Sequence, residues 1–472
     1  MPEMVKNTEV TVNNSEKAKT VQEEMRPFIS LWTKLSPEFK KNVKQYLMLF
    51  RYQWLSASSD NEATIYSKQF LLNVHEDWKE LQKIISYEVI DRLEEIRNLK
   101  EKVSELHKQK KSKEKHESNL KIKHLELEIR ILRRFIDAML WMAFDRQHST
   151  VRRLPLPNGN DNLSKNNIIE SMIAANIINQ DSHSMAIVSD LSTFVHASDI
   201  VRVDLDKGVS FIEVKSGAKN INISKVAKQV IELKNDVLEE CFLKGIENKD
   251  RKHYERTKKQ WQRLHGIRDT LITGKGHDYY TNKEVEIIES NLLGEYYIDS
   301  LIKCWASIKS GRKFGIDVID DCIYIGVYDN PKNAHLAFTH WMKGTDFNGK
   351  VYNICDSFID YFVQPFFTLP LPIEMQKDII NGDIIIVLCL DNEKFMEFGN
   401  MKHPNLFHLI KPSEPNPDRD DYMMVGKKAI CIYENAEPVF LGGGLTKRII
   451  FDLQKPESVI EWNYQGSDSH KN

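Results

Sequence analysis

The stretch FIEVKSG, residues 211–217, places an acid and a base two residues apart at the end of an apolar run. In a strand, side chains alternate between faces, so Phe211, Glu213 and Lys215 share one face and Ile212 and Val214 the other. An acid and a base there are costly if merely buried; they make sense facing a shared polar cleft. Asp199 lies on the preceding apolar run, across the turn signal Asp206-Lys207-Gly208, so its carboxylate can approach Glu213. Two adjacent carboxylates repel unless a cation neutralises them. Oxygen ligands of this kind suit Mg2+ or Mn2+, which can polarise a phosphate and lower the pKa of a bound water. Lys215 can stabilise developing charge or help position that water.

The elements that must hold these groups are readable around them. AIVSDLSTFVHASDIVRVDLD is a strand region, and SFIEVKSG is the second arm of a hairpin. A helix at about 164–179 precedes it, with Ser164 as N-cap. A second helix, SKVAKQVIELKNDVLEECFL, follows at Ser224. Glu170 stands at helical spacing from Ile173 and Ile177, on or beside an apolar face, where an acid is better explained by a site than by solvation.

SDIVRVDLDKGVSFIEVKSG resembles the core of the PD-(D/E)xK nuclease superfamily: an Asp, a spacer of about a dozen residues, then Glu-x-Lys. EVKSG after an apolar strand is most similar to the RecB-like and Holliday-junction-resolvase branches. The resemblance spans roughly residues 164–241. It implies a restriction-endonuclease-like mixed sheet flanked by helices, and hydrolysis of phosphodiester bonds, with DNA as the substrate. Asp199 and Glu213 would hold Mg2+ or Mn2+, helped by the Val214 carbonyl. Lys215 would position water or stabilise the reacting phosphate, Glu170 would support a metal, and Gln229 would orient Lys215 or a DNA phosphate. The sequence departs from the family in three places. Ser198 replaces the Pro of the family name, Leu233 replaces the Tyr of the Gln-x3-Tyr signature, and the four-cysteine cluster of some members is absent, which argues against an iron–sulfur cofactor.

Other features are less specific. Residues 249–268 interleave basic groups with aromatics. Lys252, Arg256, Lys259 and Arg263 could contact phosphates while Tyr254 and Trp261 stack on bases, or the segment is a solvated helix with aromatic anchors. His183 and His196 lie near the site in sequence, and a structural role suits them better than a ligand role. GGGLTKR (442–448) and TGKGHD (273–278) lack phosphate-loop spacing and are taken as turns. No ATPase motif is present, so any motor or sensing function would come from a partner protein.

The whole chain has 472 residues, 41% hydrophobic and 28% charged, and a net charge of −2. That length suits two or three domains, and the charge means that any nucleic-acid surface must be local. Six scattered cysteines without CxxC pairs fit free thiols in a reducing cytoplasm. No apolar run approaches a membrane span, and the polar N-terminus has no signal-peptide core.

The expected organisation is a disordered tail over 1–25, then a helical, coiled-coil domain over 26–150. A nuclease core follows over 160–330, with a helical insertion at about 245–315 and the strand CIYIGVYD completing its sheet. An α+β domain of unknown role occupies 331–472. Val89, Ile96 and Val103, then Leu125, Ile129, Leu132, Ile136 and Met139, form two heptad runs out of register with each other. They suit a hairpin turning around 108–119, or one broken helix, and they make a homo-oligomer plausible. DIIIVLCLD, AICIYEN and RIIFDL are further strand candidates. A nuclease fused to long helices and an unassigned C-terminal region resembles effectors of bacterial anti-phage defence. A restriction or repair nuclease is the alternative, and, from another class, so is a non-catalytic coiled-coil assembly or nucleic-acid-binding protein.

Overall fold

The computed structural model describes residues 25–57, 67–155, 163–215, 217–279, 282–287, 294–360, 362–413, 422–434 and 437–469. The tail expected over 1–25 lies almost wholly outside the described residues, as does most of the 151–162 linker. The chain is mixed α/β, with long N-terminal helices and several small antiparallel sheets.

Helix α1 (Pro37–Ala57) precedes the two heptad helices, α2 (Lys68–Lys108) and α3 (Ser112–Ala143). These run antiparallel and reverse over Gln109–Lys111, where Lys110 takes a left-handed backbone. Val89, Ile96, Leu125, Ile129, Leu132, Ile136 and Met139 are all buried along the seam. The heptads therefore meet within one chain, and the inference of a homo-oligomer through these helices loses its basis. Nor do the helices stand apart: their core runs on without a break into the sheets that follow.

After the short helix α4 (His148–Val151) comes α5 (Lys165–Ile178), capped by Ser164 Oγ on the Asn167 N–H at 3.2 Å. Strands β1 (Ser184–Val188), β2 (Ile200–Asp204) and β3 (Gly208–Ile212) form an antiparallel sheet in that order. Asp204 Oδ1 accepts the N–H groups of Asp206 and Lys207, both at 3.0 Å, and closes the β2–β3 turn. Gly208 then adopts φ +75°, a conformation that side-chain-bearing residues rarely take. β1 is buried along its whole length. Gln82 of α2 satisfies its outer edge, accepting the Val188 N–H at 2.8 Å and donating to the Ala186 carbonyl at 2.9 Å. Truncating Gln82 would leave two buried backbone groups unpaired, at about 1–3 kcal/mol each.

Beyond the sheet lie α6 (Ala218–Leu233), α7 (Asp236–Lys244) and α8 (Asn248–Thr273). The hairpin of β4 (Lys275–Asp278) and β5 (Lys283–Glu286) follows, then α9 (Ile298–Lys309). The insertion expected to be helical thus carries a β-hairpin. The remainder contains β6 (Phe314–Ile319), β7 (Ile323–Tyr328), α10 (Pro331–Thr345), β8 (Lys350–Asn353), α11 (Ile373–Asn381) and β9 (Ile385–Leu390). Next come α12 (Asn392–Lys402), β10 (His408–Ile410), β11 (Met424–Val425), β12 (Lys428–Glu434) and β13 (Glu437–Phe440), then α13 (Gly443–Phe451) and α14 (Pro456–Ser469).

Three expectations need correction here. CIYIGVYD forms β7, but β7 lies between β6 and β9 in a separate antiparallel sheet. With both edges paired, it cannot complete the β1–β3 sheet, and among the described residues that sheet is antiparallel throughout rather than mixed. RIIFDL is the end of helix α13, not a strand: Ile449, Ile450 and Phe451 are all buried in its last turn. The GGG text opens that same helix rather than forming a turn. DIIIVLCLD and AICIYEN do form strands, β9 and β12. Among the described residues, no helix is long and apolar enough to cross a membrane.

Candidate active site

The β2–β3 register pairs Ile200 with Ile212, so one further rung brings Asp199 opposite Glu213. On the other side, the Ser189 N–H donates to the Asp199 carbonyl at 2.9 Å, continuing the β1–β2 register past Val188. The hairpin thus fixes where the two acids meet. Lys215 lies two residues on, and its Nζ donates to Glu213 Oε2 at 3.0 Å, as expected for residues sharing a strand face. Asp199 Oδ2 accepts the Val214 N–H at 2.7 Å, which anchors this carboxylate beside that of Glu213. Ser216, next along, lies outside the described residues.

Glu213 is the electrostatic centre. Its side chain is 1% exposed. Oε2 accepts from Lys215 and also from Gln260 Nε2 at 2.6 Å, while Oε1 is buried with no hydrogen-bond partner. Burial first, then the adjacent Asp199 charge, push its carboxyl up to about 7, against the pull of Lys215. An acid at that value next to a second carboxylate is poised to lose its proton to a cation.

Two neighbours were not anticipated. Gln260 of α8 bridges Glu213 and, at 3.4 Å, Lys215. It is held there because α8 packs on α6 and α7: Trp261 Nε1 donates to Ser224 Oγ of α6 at 3.0 Å, and Tyr254 is fully buried with its hydroxyl 3.3 Å from Glu239 of α7. A glutamine within the buried register Tyr254–Thr257–Leu264–Ile267 is the signal that could have marked it. The second is Asp190, on the turn after β1, whose Oδ2 accepts from Ser171 Oγ at 2.8 Å. Burial raises its carboxyl above the usual range; the Ser171 bond opposes this and the nearby Asp199 charge adds to it.

Other expected residues fall elsewhere. Glu170 is exposed, as are Ile173 and Ile177, 59% and 65% respectively. The packed face of α5 is instead Ile168, Ser171 and Ala175, so Ser171 and, through it, Asp190 occupy the side given to Glu170. Gln229 is exposed on α6, whose packed face is Ile223, Ser224, Ala227 and Val230; Gln260 takes the place by Lys215. Tyr254 and Trp261 are packing anchors, not base-stacking platforms. Lys252, Arg256 and Lys259 are exposed and Arg263 is half-buried, and helical spacing aligns them as one stripe beside the Gln260 face. His183 pairs with Asp206 at 2.7 Å, and the His196 N–H donates to the Leu154 carbonyl at 3.2 Å.

The turn carrying Asp190 is fixed from behind by α3. Arg133 donates to the carbonyls of Leu191 and Ser192, and Asp137 accepts from Ser192 Oγ and from the N–H and hydroxyl of Thr193.

Among the described residues, no group of three or more His, Cys, Asp or Glu side chains forms a metal cage. A cation here would be held by Asp199 and Glu213, with backbone or water completing its shell. That fits an ion that keeps several waters, and the partnerless Glu213 oxygen matches such a ligand. All six cysteines are free, five buried and Cys241 exposed. Compared with family models, curated proteins and solved structures, the chain matches none.

Proposed function

We propose that the chain is a divalent-metal-dependent nuclease of the PD-(D/E)xK type, acting on DNA. One observation carries the reading. A buried carboxylate, Glu213, is left with an unpartnered oxygen beside a second carboxylate, Asp199, and under a lysine, Lys215. Buried polar atoms are usually hydrogen-bonded, so this oxygen, beside a second carboxylate, is where a cation would bind. The order α5–β1–β2–β3–α6, with the acids at one end of the hairpin, supports the reading, although among the described residues no further strand makes the sheet mixed.

In this reading Asp199 and Glu213 hold Mg2+ or Mn2+, assisted by the Val214 carbonyl. The bound ion would polarise the scissile phosphate and acidify a water. Lys215 then exchanges its contact with Glu213 for one with the attacking water or a phosphate oxygen, where its charge opposes the charge that develops there. Gln260 holds Lys215 and Glu213 in register through this exchange. Asp190, held by Ser171, places a third carboxyl near Asp199, whose charge a cation would offset. The stripe Lys252, Arg256, Lys259 and Arg263 tracks the nucleic-acid backbone by charge, which requires no base contacts. Defence against foreign DNA is the setting that the combination with long helices and a separate α+β region suggests, with restriction or repair as the alternatives.

The test is incubation with supercoiled and linear DNA in Mg2+, Mn2+ or EDTA, beside Lys215→Ala and Glu213→Gln. Cutting that needs metal and disappears in both variants is the expected result. If no cutting occurs and calorimetry finds no metal binding that depends on Glu213, the reading is wrong.

A further inference from the structure

Away from the Glu213 site, an open cleft of about 810 Å³ lies between α4, the segment 294–298, α13 and α14. Its size falls within the range of small-molecule sites. Arg146, His148, Arg152 and Arg448 line it, together with the rings of Tyr296 and Trp462.

The charge balance of this cleft is uneven. The four glutamates on its rim each have a basic side chain as partner: Glu286 with Lys275 at 2.8 Å, Glu295 with Lys455 at 2.6 Å, Glu457 with Lys402 at 2.6 Å and Glu461 with His403 at 2.7 Å. Asp452, the buried acid of the wall, pairs with His148. Among the described residues no carboxylate lies within ion-pair distance of Arg146, Arg152 or Arg448. Arg146 donates to the Thr368 carbonyl at 3.0 Å, and Arg448 stacks over Trp462 at 4.6 Å. The guanidinium of Arg152 comes so close to Gly444 that a methyl group on that glycine would collide with it. Burial lowers Arg448 to about 10; the nearby Asp452 charge opposes this and Arg152, a like-charged neighbour, adds to it. Arg152 and Arg448 are like-charged neighbours at a partly desolvated wall, with Arg146 in the same lining, so beside Asp452 the wall holds more guanidinium than carboxylate charge and favours an anion. Guanidinium forks match phosphate oxygens in geometry as well as charge.

We propose that this cleft binds a nucleotide, with Arg146, Arg152 and Arg448 on its phosphates and Tyr296 or Trp462 against its base. The site is independent of the nuclease reading. The β4–β5 hairpin at its edge gives it a physical link to α8: Arg153, on the cleft wall, is ion-paired to Asp278 of β4, directly after the helix that carries Gln260.

The test is calorimetry on the purified full chain in EDTA, so that the probes cannot bind through metal at Glu213. The probes are ATP, pyrophosphate, adenosine and a short 5′-phosphorylated DNA strand. Expected are saturable ATP binding, pyrophosphate weaker by about tenfold for want of stacking, and no heat from adenosine. Arg146→Gln and Arg152→Gln, both outside the core, should each weaken ATP about tenfold without shifting the melting temperature. Trp462→Ala or Tyr296→Ala should bring ATP down to the pyrophosphate level. Absence of saturable ATP and pyrophosphate binding, or ATP affinity unchanged in both arginine variants, overturns the proposal. Pyrophosphate binding as tightly as ATP overturns the base contact, and preference for the DNA strand over ATP overturns the nucleotide assignment.

Discussion

Two buried acid–base clusters stand within one core, and they are built to different ends. On α3, Asp137 is fully buried, and both its oxygens are used: Oδ1 by Ser192 Oγ and the Thr193 N–H, each at 2.8 Å, Oδ2 by Thr193 Oγ1 at 2.6 Å and Arg134 at 2.7 Å. Arg134 in turn donates to the Ser357 and Val363 carbonyls, so the pair ties α3 to both the β1 turn and the C-terminal half. At the sheet end, Glu213 is just as buried, yet one oxygen has no partner and a second carboxylate stands beside it. The first cluster cannot lose a member without leaving a buried charge exposed to nothing. The second is incomplete until something cationic arrives. Substitutions should therefore separate them: stability without chemistry at Asp137, chemistry without stability at Lys215.

The largest effect expected is on turnover. Lys215→Ala should lower metal-dependent cleavage by about a thousandfold, or ~4 kcal/mol, as for loss of one preorganised charge at a transition state. Its thermal midpoint should stay within about 2 °C of the parent, since Lys215 is partly exposed and leaves no buried cavity. A melting point that drops together with the activity would erase the distinction between the clusters.

Next in size is Asp137→Ala. Removing the acid strands Arg134 and three donors of the Ser192–Thr193 turn, and should cost about 3–4 kcal/mol in chemical denaturation. Cleavage per folded molecule should fall less than in Lys215→Ala. An Asp137→Ala protein with parental stability would show that the Asp137 network contributes little.

The third effect is on pH and sharpens what incompleteness means. Glu213 has its carboxyl raised to about 7 in the folded chain, above the value it takes when unfolded. Between the two values the folded state holds a proton that the unfolded state has released. Stability of the metal-free protein should therefore fall as pH rises from about 4.5 to 7, by on the order of 3 kcal/mol, and level off above that. Glu213→Gln should flatten this slope and raise stability at neutral pH. Mn2+ should tighten its binding with rising pH over the same window, since the ligand must be deprotonated. Melts across pH in EDTA, for both proteins, read the effect directly.

What could be read from the sequence follows the range of the interaction. The hairpin and its Asp199–Glu213–Lys215 group were legible because alternation, a turn glycine and strand register act over about fifteen residues. The heptads were legible too, but not that their seams close on each other, since a heptad run specifies a face and not its partner. Glu170 was misplaced because the apolar residues Ile173 and Ile177 suggested a buried stripe on what is the outer side of α5. The narrower set Ile168, Ser171 and Ala175 does the packing, and its serine carries the link to Asp190. Gln260 lies far along the chain from Glu213, and only the docking of α8 on α6 brings it back. RIIFDL shows the limit at short range: a brief β-branched run has no period long enough to distinguish a strand from a buried helix end.

The smallest effect concerns the exposed basic stripe of α8, where neither cluster's logic applies. Lys252 and Lys259 point to solvent, and no buried charge depends on them. Replacing both with Ala should leave stability and metal binding unchanged and weaken DNA binding by only ~1 kcal/mol per residue at moderate salt. The informative quantity is the salt slope. Each lysine that meets a phosphate releases counterions on binding, so the slope of log affinity against log salt should become shallower by about 1 per residue removed. The loss should be uniform across DNA sequences, since phosphate contacts carry no base information. Filter binding of catalytically inert Glu213→Gln, with and without the lysine pair, gives that slope in the absence of cutting. An unchanged slope would assign the stripe to solvation alone and move the nucleic-acid path to another face of the sheet end.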